Sequence, residues 1–212
     1  EVLCITISSR LSGTYANAVL AAKELGGGHI EVVDSPTPCS GLYLLIREAR
    51  KRIREGAKLP TVAKELGELR KRVRMRFSVD DMAPLRRSGR LGNVRMSIST
   101  VLNIKPVLTI QGGKLDAYAK TRGMKSAFKT MCRALKSEIS GRFHDLYEDG
   151  CLCAGIADTH MRREDLENWK EELARAFPEL EVMHIPLTLS IGCHIGPGGL
   201  GVGVYRKHRS DR

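Results

Sequence analysis

Hydroxyl groups crowd one short stretch of the chain. Ser8, Ser9, Ser12 and Thr14 fall within ISSRLSGTY at 7–15, between an apolar run (Val2, Leu3, Ile5, Ile7) and a run in which Tyr15, Ala18, Val19 and Ala22 share one helical face. This reads as a turn leading from the carboxyl end of a strand into a helix, where open α/β sheets bind their ligands. The first N–H groups of a helix lack intrahelical partners and its dipole is positive there. A carboxylate or phosphate is therefore favoured, with Ser12, Ser9 or Thr14 adding hydroxyl donors. A structural reading stays open beside this one, in which Ser12 caps its own helix.

Other constellations are weaker. Gly196-Pro197-Gly198-Gly199-Leu200-Gly201 matches the spacing G-x-G-x-x-G, but it feeds a strand and carries Pro in its turn, whereas a dinucleotide fingerprint follows a strand and opens a helix. Ser12, His194 and Asp34 would supply the residue types of a hydrolytic triad, and triads are recognised by geometry rather than spacing. The G-x-S-x-G elbow is missing, and His194 by itself also reads as a structural hydrogen-bonder in a glycine-rich turn. Cys151, Cys153 and His160 lack the second ligand pair of a zinc site, so buried apolar cysteine is the simpler account and no metal is expected.

A net charge of +11, with clusters at 47–54, 70–76 and 86–95, is the footprint nucleic-acid binding would leave. Only 5% of the residues are aromatic, so stacking platforms are scarce, and no helix-turn-helix or zinc-finger spacing occurs. Nucleic acid is disfavoured as a partner, because a basic surface equally steers acidic proteins.

The elements that must position these residues alternate between the two periodicities. Strand 2–7, helix 13–25 and strand 30–33 form a βαβ unit with parallel strands. A helix follows with Leu42, Leu45, Ile46, Ala49 and Ile53 on one face, and another opens at Pro60 and buries Val62, Leu66, Leu69 and Val73. Beyond about residue 75 the pattern predicts strand 77–79, a short helix over 80–85, a turn at 88–92 and a helix over 94–104. A hairpin around Gln111-Gly112-Gly113 comes next, then a long helix over 123–140, strand 151–157, helix 162–177, strand 180–185 and a glycine-rich turn into strand 200–205. The fold class is α/β in two domains. Residues 1–75 form an incomplete parallel βαβ domain, and 76–212 a mixed-sheet α+β domain.

A chain of 212 residues with 42% apolar content can bury one large core or two small ones. No run approaches the roughly 18 apolar residues of a membrane span. No charged-then-apolar leader opens the sequence, and six cysteines are scattered rather than framed, which together predict reduced thiols and a cytoplasmic protein. The chain begins without Met inside a core strand, so it reads as a fragment.

Five motifs, in order, carry a resemblance: ISSRLSGTY at 7–15, VVDS at 32–35, SGRLG at 88–92, LNIKPVL at 102–108 and GCHIGPGGLG at 192–201. Together they resemble the DegV family of bacterial fatty-acid-binding proteins over nearly the whole chain. The resemblance implies one long-chain fatty acid in a tunnel between two α/β domains, with its carboxylate at the interdomain mouth. By motif, Ser12, His194 and Arg90 would bind the carboxylate, supported by Ser9 and Thr14, and Ile98, Val101, Leu102 and Ile104 would line the tunnel. It also implies a missing N-terminal stretch whose Thr-Ser loop helps hold the head group. Ile195 stands where such sequences often have Thr. No cofactor other than the bound acid is implied and no catalytic residue: some members present the acid to a separate ATP-dependent kinase that makes an acyl phosphate. Burial of about 0.8 kcal/mol per CH₂ would let a tail of about sixteen carbons contribute on the order of 10 kcal/mol before ordering costs. A lipid-acting hydrolase using Ser12 and His194, or a nucleic-acid-binding protein, is the alternative.

Overall fold

The computed structural model describes residues 1–26, 28–37, 40–91 and 103–206. The chain divides into two compact units, the first made of Glu1–Val73 with Gln111–Lys114 and the second of Arg74–Ile110 with Leu115–Arg212.

In the first unit, β1 (Val2–Thr6) and β2 (Ile30–Asp34) run parallel with Val2 opposite Ile30 and Thr6 opposite Asp34, and α1 (Thr14–Glu24) is the crossover between them. Two helices follow, α2 (Ser40–Arg54) and α3 (Leu59–Leu69). α2 presents Leu45 and Ala49 four residues apart, and these pack with Val33 of β2 and with Val62 and Leu66 of α3 to form a small core. Pro60 sits in the first turn of α3, where its missing N–H costs no helical bond. Between the helices, Arg52 clamps Glu65 with two hydrogen bonds of 2.7 and 2.9 Å and Glu55 with one of 2.7 Å, and the guanidinium holds both carboxyls below their ordinary range.

The second unit is a six-stranded mixed sheet in the order β5-β4-β3-β8-β6-β7. Its strands are β3 (Arg74–Ser78), β4 (Ile104–Gln111), β5 (Lys114–Arg122), β6 (Leu152–Thr159), β7 (Glu181–His184) and β8 (Gly199–Arg206). β8 is antiparallel to both β3 and β6, and β7 is parallel to β6. The helices are α4 (Ala83–Arg87), α5 (Met124–Ser140), α6 (His144–Glu148), α7 (Arg163–Ala176) and α8 (Leu189–Ile195). Strand β8 shows how the sequence divides the two faces of this sheet. Its alternate residues Leu200, Val202 and Val204 join Phe128, Met131 and Leu135 of α5 and Leu173 of α7 in the main core. The intervening glycines face the other way, and they are glycine because the neighbouring strand is close. A Cβ on Gly203 would lie 2.9 Å from the Arg74 carbonyl oxygen, and one on Gly201 3.4 Å from the Phe77 Cβ. A smaller cluster of Val79, Met82, Leu85, Leu108 and Ile195 gathers α4 and α8. No helix among the described residues is long and apolar enough to cross a membrane.

Five elements depart from the sequence reading. The strand expected over 77–79 is β3, which starts at Arg74 and ends at Ser78. The short helix starts at Ala83 rather than 80, because the Asp81 carboxylate accepts the Ala83 N–H (2.8 Å) and Pro84 occupies the first turn. Of the helix expected over 94–104 only the last two residues are described, and they are not helical: Asn103 is left-handed (φ 68°) and Ile104 opens β4, while 92–102 lie outside the described residues. Helices α6 and α8 were not foreseen. α6 is five residues long, and α8 grows from a segment whose Ser190 and Gly192 read as loop.

Candidate functional site

Within the first unit the hydroxyl-rich turn is built as the spacing predicts. β1 ends at Thr6, the N–H groups of Leu11 and Ser12 both return to the Ser8 carbonyl (2.9 and 3.1 Å), and α1 starts at Thr14. Ser8 is buried and fixes the turn: its Oγ accepts the Arg10 N–H (3.2 Å) and donates to the Gly113 carbonyl (2.8 Å). Gly113 is left-handed (φ 79°), and a Cβ there would stand 2.4 Å from the Ser8 Oγ, so the contact requires glycine.

Ser12 is half-buried. Its Oγ accepts the Thr14 N–H (3.2 Å) and lies 2.7 Å from the Thr14 hydroxyl. Two hydroxyls that share one hydrogen bond leave one proton for an outside acceptor. The N–H groups of Tyr15 and Ala16 precede the first helical hydrogen bond, which Asn17 donates to Gly13, and no acidic residue lies in the first turn to offset the dipole. Ser12 therefore satisfies one helix-end N–H, as a cap would, while the turn keeps spare donors for an anion.

Ser9 is committed differently. Its N–H reaches Asp34 Oδ1 (2.8 Å) and its hydroxyl reaches Oδ2 (2.7 Å), so in this structure its proton secures the turn to the end of β2. Arg70 Nη1 donates to the Asp34 carbonyl. Both Asp34 oxygens are thereby engaged by Ser9 and not by an imidazole. The carboxylate that does pair with a histidine is Asp158, whose Oδ1 lies 2.7 Å from His184 Nε2. Among the described residues Asp34 therefore orients Ser9 and not a histidine, unlike the aspartate of a hydrolytic triad.

In the second unit His194 is half-buried in the last turn of α8. The glycines after it are conformationally required: Gly196 has φ 75° and ψ 177°, with Pro84 Cγ 2.9 Å from where a Cβ would be, and Gly198 has φ 73°. This close approach seats α8 on α4, and the turn after α4 carries Arg90, exposed and donating to the Ser88 carbonyl (2.6 Å). Ile104 is half-buried at the start of β4, and Ile98, Val101 and Leu102 lie outside the described residues. Two residues that the sequence reading passed over, Asp158 and Thr159 at the end of β6, hold both flanks of α8: Leu187 N–H bonds the Asp158 carbonyl (3.0 Å), and the Thr159 hydroxyl bonds Gly196 and Gly199 (2.6 and 2.8 Å). The only hint was a polar pair closing an apolar strand.

The basic clusters are partly spent inside the units. Arg52 and Lys51 pair with Glu55, Lys71 with Glu68, and buried Arg76 with Glu138 (2.9 Å) while stacking 4.6 Å from the Tyr118 ring centroid. Among the described residues no three His, Cys, Asp or Glu side chains converge on a metal position. Cys151 and Cys153 are buried.

Comparison with known proteins identifies the family. The chain is 33% identical over 203 residues to a DegV domain-containing protein of Deinococcus radiodurans, a match covering 95% of this chain and 69% of that protein. It is similar to the solved structure of a DegV family protein from Thermus thermophilus described by its fatty acid binding, with a TM-score of 0.84 and 31% identity over 97% of this chain and 71% of that one. It is also similar to that of DegV from Bacillus subtilis, described as a fatty acid binding protein, with a TM-score of 0.80 and 29% identity over 98% of this chain and 71% of that one. A family model described as uncharacterised proteins of the DegV family matches residues 1–207. On that match and these likenesses, the chain belongs to the DegV family.

Proposed function

We propose that this chain binds one long-chain fatty acid and acts as its carrier rather than as a catalyst. The observation that carries the reading is the entry to α1, where the Ser12–Thr14 hydroxyl pair has a proton to spare and the Tyr15 and Ala16 N–H groups lie at the positive end of a helix with no acidic residue in its first turn. A carboxylate satisfies those donors without a protein proton changing place. The fatty acid binding named for the Thermus thermophilus and Bacillus subtilis proteins supports the choice of ligand.

In this reading Ser12 makes the principal hydrogen bond, Thr14 supports it, Ser9 secures the turn through Asp34, and His194 and Arg90 contribute to holding the carboxylate. The alkyl chain occupies an apolar tunnel lined in part by Ile104. Its burial, about 0.8 kcal/mol per CH₂, dominates affinity, and the head-group contacts set orientation. Presentation of the acid to a separate kinase that forms the acyl phosphate completes the proposal, with the phosphoryl chemistry belonging to the partner.

Calorimetric titration with a long-chain fatty acid tests the reading. A hydroxyl donated to a charged acceptor is worth about 1.5–3 kcal/mol, so Ser12→Ala weakens binding roughly 10- to 100-fold. Wild-type protein that neither evolves heat nor displaces a fluorescent acyl probe contradicts it.

A further inference from the structure

We propose that Thr159 is the positioning residue for His194, acting through the turn on which α8 ends. The inference rests on the fatty-acid reading above for its consequence, although its geometry stands apart from it. α8 is only seven residues long, too short to hold helical form by its own hydrogen bonds. Beside the packing of Ile195 and Ile191 in the smaller core, it is held at its two ends, and both ends return to consecutive residues of β6. On the entry side the Leu187 N–H bonds the Asp158 carbonyl (3.0 Å), and His184 Nε2 meets Asp158 Oδ1 (2.7 Å). On the exit side a single side chain does the work. The Thr159 hydroxyl donates to the Gly196 carbonyl (2.6 Å) and accepts the Gly199 N–H (2.8 Å), while the Thr159 carbonyl accepts the Gly198 N–H (2.7 Å).

That hydroxyl uses its one proton and a lone pair to close the turn from both sides. Thr159 is 3% exposed, and Gly196 and Gly199 are buried, so no water replaces it. Without it a carbonyl and an N–H are left buried and unpaired two residues beyond His194 and further on. A Cβ on Gly199 would lie 2.8 Å from the Thr159 Oγ1, so glycine and threonine at these positions are one fitted pair.

Thr159→Val removes the hydroxyl and Thr159→Ser keeps it. By amide hydrogen exchange on ligand-free protein, Thr159→Val speeds exchange over 189–199 by about tenfold or more, with α5 unchanged, and Thr159→Ser matches wild type. In binding, Thr159→Val weakens a long-chain fatty acid about tenfold more than the corresponding long-chain alcohol, and adds nothing to His194→Ala in the double variant. A merely structural role would weaken acid and alcohol alike. The proposal is overturned by wild-type exchange over 189–199 in Thr159→Val, by costs that add fully to those of His194→Ala, or by faster exchange throughout the unit in both Thr159→Val and Thr159→Ala. Wild-type protein that binds no fatty acid sinks the carrier reading alone, and the exchange comparison still decides the clamp.

Discussion

Ser9 grips Asp34 twice, through its backbone N–H at 2.8 Å and its hydroxyl at 2.7 Å, and so ties the end of β2 to the turn that leaves β1. Exposed Ser9 thus adds a second anchor to the one buried Ser8 gives the turn that carries the Ser12–Thr14 pair.

Asp34→Ala removes both acceptors. The expected cost is about 1 kcal/mol of stability, read as a loss of roughly 2–4 °C in Tm for a chain of this size. Asp34→Asn keeps one acceptor oxygen and loses about half as much. Differential scanning calorimetry on the three proteins gives the order.

Two glycines should respond oppositely to alanine. Gly196 has a backbone conformation reserved for glycine and lies against Pro84, so Gly196→Ala destabilises by about 1–3 kcal/mol. Gly67 lies inside α3 with nothing within 4 Å of where a Cβ would stand, so Gly67→Ala stabilises by roughly 0.5–1 kcal/mol. Denaturant titration of both variants checks the pair of signs.

Acid should weaken the bond between α2 and α3. Arg52 holds the Glu65 carboxyl below its ordinary value of 4.5, chiefly by hydrogen bonding. A carboxyl depressed in the folded state stabilises at neutral pH and loses that contribution as pH falls through its folded value. Arg52→Gln therefore has a small Tm deficit at pH 7 that shrinks as pH drops below 4.5, measured by thermal melts at a series of pH values.

Thiol reactivity should follow burial. The Cys132 thiol is pushed up to about 12 by burial within α5, whereas Cys193 on α8 is exposed. Alkylation at pH 8 followed by peptide mass spectrometry labels Cys193 well ahead of Cys132, Cys151 and Cys153.

Local periodicity made much of the fold legible. The strand-like run before Ser8 and the helical spacing after Gly13 marked β1 and α1; of the apolar face read for α2, Leu45 and Ala49 are buried, while Ile46 and Ile53 are exposed. What escaped the sequence reading depends on partners far away in the chain. α8 looked like loop because its seven residues include Ser190 and Gly192, and it is held by the packing of Ile195 and by bonds to the backbone and the Thr159 hydroxyl of β6. Beyond closing an apolar strand as part of a polar pair, Thr159 gave little sign of its role, because it meets Gly196 and Gly199, 37 and 40 positions on. Asn103 takes a left-handed conformation and Ile104 opens a strand where the periodicity predicted helix, a choice that short apolar runs do not announce.

The most direct test of the carrier account is native mass spectrometry of protein taken straight from cells without added lipid. The account predicts a mass exceeding the polypeptide by one intact long-chain fatty acid per chain, with that adduct depleted in Ser12→Ala. A bare polypeptide mass that stays bare after incubation with long-chain fatty acids would contradict it.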